Sequence, residues 1–260
     1  MKIKYILIIV FLWQYAQVAA QNQQSFQEGE WLKFRVHYGI FNASYATLEV
    51  RDSTYHQKPV YHVIGKGKST GLLGLFFKVD DNFERLIEKK TGKPYKYILK
   101  VEEGSTTKDK EVHFEHHQQK ITVKNNENNQ ATEMPLKSNV QDMISMFYFL
   151  RNSINPKELQ KNQAFELDMI YDDELFKFKL VFVKREVLRT KFGKIPALMF
   201  KPYVAKGRVF KEEESMTVWV SDDHNKIPLR IKADLAVGSI KADLDAFKGL
   251  KNSFTIKVDE

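Results

Sequence analysis

The 260-residue chain contains no cysteine. It therefore cannot staple itself with disulfides, it offers no thiol nucleophile, and it has no lipid-acceptor Cys to follow a leader. Long apolar runs are equally scarce. One occurs, from Tyr5 to Trp13, and nothing later approaches the roughly 20 residues needed to cross a bilayer. Nucleotide and hydrolase motifs in their proper context are missing too. Gly67-Lys68-Ser69 imitates the end of a phosphate-binding loop, but the motif's first glycine would fall on His62 and no helical pattern follows. Gly67-Lys68-Ser69-Thr70-Gly71 spells Gly-x-Ser-x-Gly, but without a following helical pattern it is not the strand–turn–helix elbow that exposes a serine nucleophile.

The one apolar run has the form of an export leader. Lys2 and Lys4 precede it, and Val18-Ala19-Ala20 supplies the small side chains of a cleavage site. The expectation is a signal peptide over 1–20 and a mature chain over 21–260, exported to the periplasm or secreted, not lipid-anchored and with no transmembrane segment. Losing Lys2 and Lys4 lowers the formal charge from +8 to +6. A basic protein in the cell envelope suits anionic partners such as lipid headgroups or acidic polysaccharide. Nucleic acid does not fit, because the lysines are spread along the chain instead of clustering.

Period-two alternation dominates the mature chain. Leu32, Phe34, Val36 and Tyr38 point one way and Lys33, Arg35 and His37 the other. The rhythm returns at Phe165-Leu167-Met169-Tyr171, Phe176-Phe178-Leu180-Phe182, Met216-Val218-Val220, Leu229-Ile231-Ala233-Leu235 and Ile240-Ala242-Leu244-Ala246. One apolar and one wet face per strand marks antiparallel sheet. A single segment breaks the pattern. Val140, Met143, Ile144, Phe147, Leu150 and Ile154 recur at helical spacing, with Ser138 or Asn139 as the cap, Asp142 in the first turn and Asn155-Pro156 as the stop. The fold expected is all-β: one large curved antiparallel sheet or partial barrel of about a dozen strands, with one helix packed on its concave side. The helix is read as a plug, with Met143, Ile144, Phe147 and Leu150 among the most buried side chains.

Three groups of residues carry a family resemblance. They are Phe26-x-x-Gly29-Glu30-x-Leu32-x-Phe34-x-Val36-x-Tyr38-Gly39; Tyr148-x-x-Arg151; and Trp219-x-Ser221-Asp222 with Ile227-Pro228 and Gly238-x-Ile240-x-Ala242-x-Leu244. Together they resemble domain-of-unknown-function family 3108, exported proteins of Gram-negative bacteria. The resemblance implies a curved, mostly antiparallel sheet similar to the half-barrels of periplasmic lipoprotein carriers. It implies no activity.

The candidate sites follow from chemistry. His113, Glu115 and His117 share a face if His113–His117 is a strand, yet no second ligand cluster completes a metal shell, so an exposed polar strand is the better reading and no metal or cofactor is assigned. The acidic doublets Asp80-Asp81, Asp172-Asp173 and Asp222-Asp223 are not acid–base pairs, since neighbours on a strand face opposite ways. Enzymatic activity therefore has no positive support. Apolar strand faces outnumber what one helix can cover, which predicts a greasy groove. Its expected lining is Leu72, Leu73, Phe76 and Phe77 from a Gly-bracketed apolar stretch, Met143, Phe147 and Arg151 from the helix, and Trp219. For Arg151, a structural ion pair to the sheet is favoured over a headgroup contact. The function expected is a binding or carrier module for an amphipathic, acyl-containing ligand. The alternatives are a structural or interaction protein of the envelope and, third, a polysaccharide-active enzyme.

Overall fold

Alternating apolar residues that cannot all face one helix must curl the sheet that carries them. The computed structural model, in which residues 24–70, 78–204 and 216–256 are described, shows how. Fifteen strands follow in chain order: β1 (Trp31–Tyr38), β2 (Phe41–Tyr55), β3 (Lys58–Ser69), β4 (Asp80–Glu88), β5 (Pro94–Glu103), β6 (Thr106–Glu115), β7 (Lys120–Asn125) and β8 (Gln130–Pro135), then β9 (Val140–Gln141), β10 (Ala164–Tyr171), β11 (Glu174–Thr190), β12 (Gly193–Val204), β13 (Met216–Ser221), β14 (Pro228–Asp234) and β15 (Ser239–Lys248). They form one sheet in the order β8 to β1, then β15 down to β9, so the chain's two ends pair in the middle through β1 and β15. Every pairing is antiparallel except the short β9–β10 contact. The count is close to the expected dozen; the polar, exposed β8 and the two-residue β9 are the strands that carry little alternation.

The sheet curls until its edges meet without a hydrogen-bonded ladder between them. Val112, Phe114, Ile121 and Val123 from one arm pack with Val140 and Ile170 from the other. Lys110 Nζ then bridges the seam to Asp172 at 2.5 Å and to Asp173 at 3.0 Å. The Asp172-Asp173 doublet is the turn between β10 and β11, and Asp172 takes positive φ there. The result is a partial barrel with an apolar, ion-pinned seam.

The helix α1 spans Met143–Ser153, shorter than its periodicity predicts. Val140 and Gln141 are spent as β9, leaving Asp142 as the N-cap. Its carboxylate accepts from the backbone of Ile144 at 2.9 Å and Ser145 at 3.3 Å, and Ser145 Oγ accepts from the Asp142 N–H, completing a capping box. Neither Ser138 nor Asn139 caps, because Val140 shares the helical spacing by chance while its side chain belongs to the seam. Arg151 lies in the last turn, Asn155-Pro156 follows, and a short 3₁₀ turn (Pro156–Glu158) completes the stop.

Buried ion pairs pin both ends of α1. Arg85 on β4 donates to Asp142 at 2.5 Å, and Arg151 makes a two-pronged bond to Glu30 at 2.6 and 2.7 Å. Between these anchors the helix has two apolar faces, not one. Tyr148, 1% exposed, packs on Phe26 and Phe147 and in a cluster with Tyr61, Val63 and Ile87. The other face turns Met143, Ile144, Met146 and Phe147 toward an interior space. The expected plug of four buried residues is thus corrected. Leu150 is buried, Ile144 and Phe147 are half-buried, and Met143 is 48% exposed at the helix mouth. Ile144 reaches the sheet at Gly65, where an added Cβ would stand 3.3 Å from the Ile144 Cδ1.

Glu30→Gln leaves the Arg151 charge buried with a neutral partner and should cost about 3–5 kcal/mol, read as a lower denaturant midpoint. A melting temperature within a degree of wild type would refute the anchor. Tyr148 Oη has no hydrogen-bond partner among the described residues, so Tyr148→Phe should hold or raise stability, while Tyr148→Ala loses about 3–5 kcal/mol. Phe147→Ala should cost distinctly less, because its ring borders open space; equal losses for the two alanine variants would disprove the two-faced helix.

Candidate functional site: an apolar cavity with charged ends

The concave face and α1 enclose a cavity of about 640 Å³. Strands from both halves of the sheet supply its walls: Phe34, Ala46 and Leu48, then Phe176, Phe178 and Leu180, then Val218, Val220 and Ile231. Met143, Met146, Phe147 and Leu150 of α1 form the remaining side. The lining residues at the helix start, Met143 and Tyr171, are 48% and 41% exposed. Those near its end, Leu150, Arg151, Phe200 and Lys226, are all buried. The cavity therefore has an open mouth beside Met143 and a closed end beside the last turn of α1.

The closed end is built from the segments that carry the family resemblance, far apart in sequence. Arg151 Nε donates to the Asn225 carbonyl at 2.8 Å and Nη2 to the Ser25 carbonyl at 3.1 Å, besides its bonds to Glu30. Burial alone would lower its pKa, but the Glu30 carboxylate more than offsets this and holds the guanidinium charged. The Ser221–Ile227 loop closes on itself. Asp223 Oδ1 accepts from Ser221 Oγ at 2.7 Å and from the backbone of Asn225 and Lys226 at 2.9 and 3.0 Å, while Ser221 Oγ accepts from the Ile227 N–H. Asn225 ties the loop to the C-terminal segment through the carbonyls of Asn252 and Ser253. This frame holds Lys226 against the cavity, 4% exposed, its Nζ donating to the His224 carbonyl at 3.2 Å. Burial, and then the neighbouring Arg151 charge, depress its pKa to about 8.

The mouth has the opposite sign. Exposed Glu103 and, beside it, buried Asp81 both line the cavity. Burial, and then the Glu103 charge, push the Asp81 carboxyl up to about 6. Its Oδ1 accepts from the Glu102 N–H at 3.2 Å. Asp80-Asp81 begins β4, and Asp81 lines the cavity. Asp81 and Glu103 stand close enough to interact directly.

The residues picked from sequence divide three ways. Met143, Phe147 and Arg151 line the cavity. Leu72, Leu73, Phe76 and Phe77 lie outside the described residues, as does the leader. Trp219 is a correction: Val218 and Val220 line the cavity, so alternation turns Trp219 to the opposite face. There its Nε1 donates to Glu186 at 2.5 Å and its ring borders the cluster of Leu32, Ile227 and Leu229. The histidine group is not assembled as a ligand set. His113 meets Glu111 at 3.3 Å, His116 meets the Pro94 carbonyl at 2.8 Å, and β6 ends at Glu115, before His116 and His117. Lys226 escaped sequence reading, and Asp81 was set aside there with its doublet. Each is one of many charged residues in the chain, and only its inward placement distinguishes it.

A family model for proteins of unknown function, DUF3108, matches residues 33–245, and the chain belongs to that family. No curated protein gives a match. Among solved structures, a beta-barrel-like protein of the domain of unknown function DUF1849 from Brucella abortus is similar with TM-score 0.59 at 11% identity, covering 87% of this chain and 99% of that one. A DUF1089 family protein from Pseudomonas aeruginosa aligns at 9% identity with TM-score 0.41 over 74% and 92% of the two chains. The Brucella likeness shows the fold alone.

The raised Asp81 carboxyl has a signed consequence for stability. Its pKa is higher folded than unfolded, so the folded state binds more protons between about pH 4 and 6, and stability falls as pH rises through that window. Asp81→Asn keeps the oxygen that accepts from Glu102 and removes the charge. The variant should melt higher than wild type at pH 8 and lose that advantage at pH 4; a lower melting temperature at pH 8 would overturn this account of the mouth.

Proposed function

We propose that this DUF3108 member is an exported binding or carrier module for an amphipathic, acyl-containing ligand. The observation that carries the reading is the open apolar cavity. Protein interiors pack to crystal-like density, so a space of about 640 Å³ retained between a sheet and a helix is a cost that a purely structural barrel would avoid by filling it. The volume falls within the range of about 300–1,000 Å³ typical of small-molecule sites. Burial of acyl methylenes would supply the affinity, at about 0.8 kcal/mol per CH₂ enclosed. The leader-like N-terminus supports export, and among the described residues no helix is long and apolar enough to cross a membrane.

Beyond the cavity the rim of the sheet carries an apolar patch. The inward rows Phe34-Val36-Tyr38 and Ala242-Ile240 run outward to two adjacent hairpin tips, paired at Tyr38 and Ile240. There Ile40, Phe41 and Val237 are 90%, 63% and 77% exposed. Such a patch suits contact with a lipid surface from which a ligand is taken or to which it is given.

Purified protein should yield an acyl compound on organic extraction and take up a fluorescent fatty acid. Ile40→Asp with Val237→Asp should slow transfer between protein and anionic vesicles while leaving equilibrium affinity for the fatty acid unchanged. Protein free of acyl ligand that also takes up no fatty acid would sink the reading.

A further inference from the structure

We propose that the cavity takes a single-chain ligand ending in a carboxylate, inserted head first so that the carboxylate pairs with the Lys226 ammonium at the closed end. The inference rests on the carrier reading and adds chain number, headgroup and orientation. Charge placement sets the orientation. At the mouth, Asp81 and Glu103 repel an anionic head. At the closed end, Lys226 has three N–H donors and uses one, on the His224 carbonyl, with no carboxylate in ion-pair range among the described residues.

The other charged groups there are already committed. Arg151 is held by Glu30 and two carbonyls. The Asp223 carboxylate serves Ser221, the Asn225 side chain and two backbone N–H groups. Lys226 is therefore a buried cation among the residues lining an apolar cavity; Asp223 lies near enough to favour its charge but is bonded elsewhere, and an incoming carboxylate would provide a directly bonded counter-ion. Capacity favours one long chain. A methylene is close in size to a water molecule, whose share of liquid volume is about 30 Å³, so a space of about 640 Å³ takes on the order of twenty such groups. That suits one long acyl chain better than the two long chains of a diacyl lipid.

The experiment compares dodecanoate with dodecanol, and a diacyl phosphatidate with both, by calorimetric titration into wild type and Lys226→Met. Wild type should bind dodecanoate about ten- to a hundredfold more tightly than dodecanol, the ratio expected of one hydrogen bond to a charged group. In Lys226→Met, checked for wild-type circular dichroism, the two should bind alike, at the affinity of the alcohol. Should that variant not fold, Lys226→Gln replaces it, and the wild-type comparison already stands alone. Equal binding of acid and alcohol by wild type, or an acid preference that survives the substitution, would overturn head-first pairing. Phosphatidate binding as tightly as dodecanoate would overturn the single chain. If none of the three binds, it is the carrier reading that fails.

Discussion

Everything in this molecule hangs from the buried pair of Arg151 and Glu30. Both side chains are nearly inaccessible, and the guanidinium spends its donors on Glu30 and on the carbonyls of Ser25 and Asn225. A desolvated charge with one partner removed is far costlier than the intact pair is stabilising, so the arrangement acts chiefly as a position lock. It fixes the last turn of α1 against the start of β1 and the β13–β14 loop at once. The Arg85–Asp142 pair does the same at the other end of the helix. Because the two anchors lie at the ends, the middle of the helix can stand off from the sheet.

That stand-off is where packing gives way to a site. Tyr148 fills the core on one side of α1, whereas Phe147 one residue earlier borders open space. A loosely attached helix would collapse into the cavity to recover dispersion contacts. Two rigid ion pairs and a capping box prevent it. Lys226 and Asp81 are charged groups whose pKa values are displaced by burial, downward for the amine and upward for the acid. Each disfavours the folded state at neutral pH, and such groups gathered in one cavity mark a site. Their opposite signs at opposite ends give the cavity a polarity that an all-apolar pocket would lack.

Much of the fold was legible in order and kind. Period-two alternation located strands such as β1, β11, β13 and β15, and it implied a curved sheet because one helix cannot cover so many apolar faces. The helix start was misread at Val140, since a two-residue strand and a helical turn give the same apolar spacing when both face inward. Trp219 was misplaced for a related reason. Alternation shows that it opposes Val218 and Val220, but only the curl of the sheet decides which of the two faces is concave.

By itself, the sequence determined the class of structure, the family and the absence of disulfides, because these depend on local periodicity, motif spacing and residue type. The tertiary structure alone decided the site. Glu30, Asp81, Arg151 and Lys226 are ordinary charged residues in a chain with 41 basic and 33 acidic ones. What singles them out is burial and neighbourhood, properties of a closed surface made from segments as distant as Ser25, Arg151 and Asn225. Burial changes the energy of a charge by removing water from it, and no spacing along the chain records which charges will lose theirs.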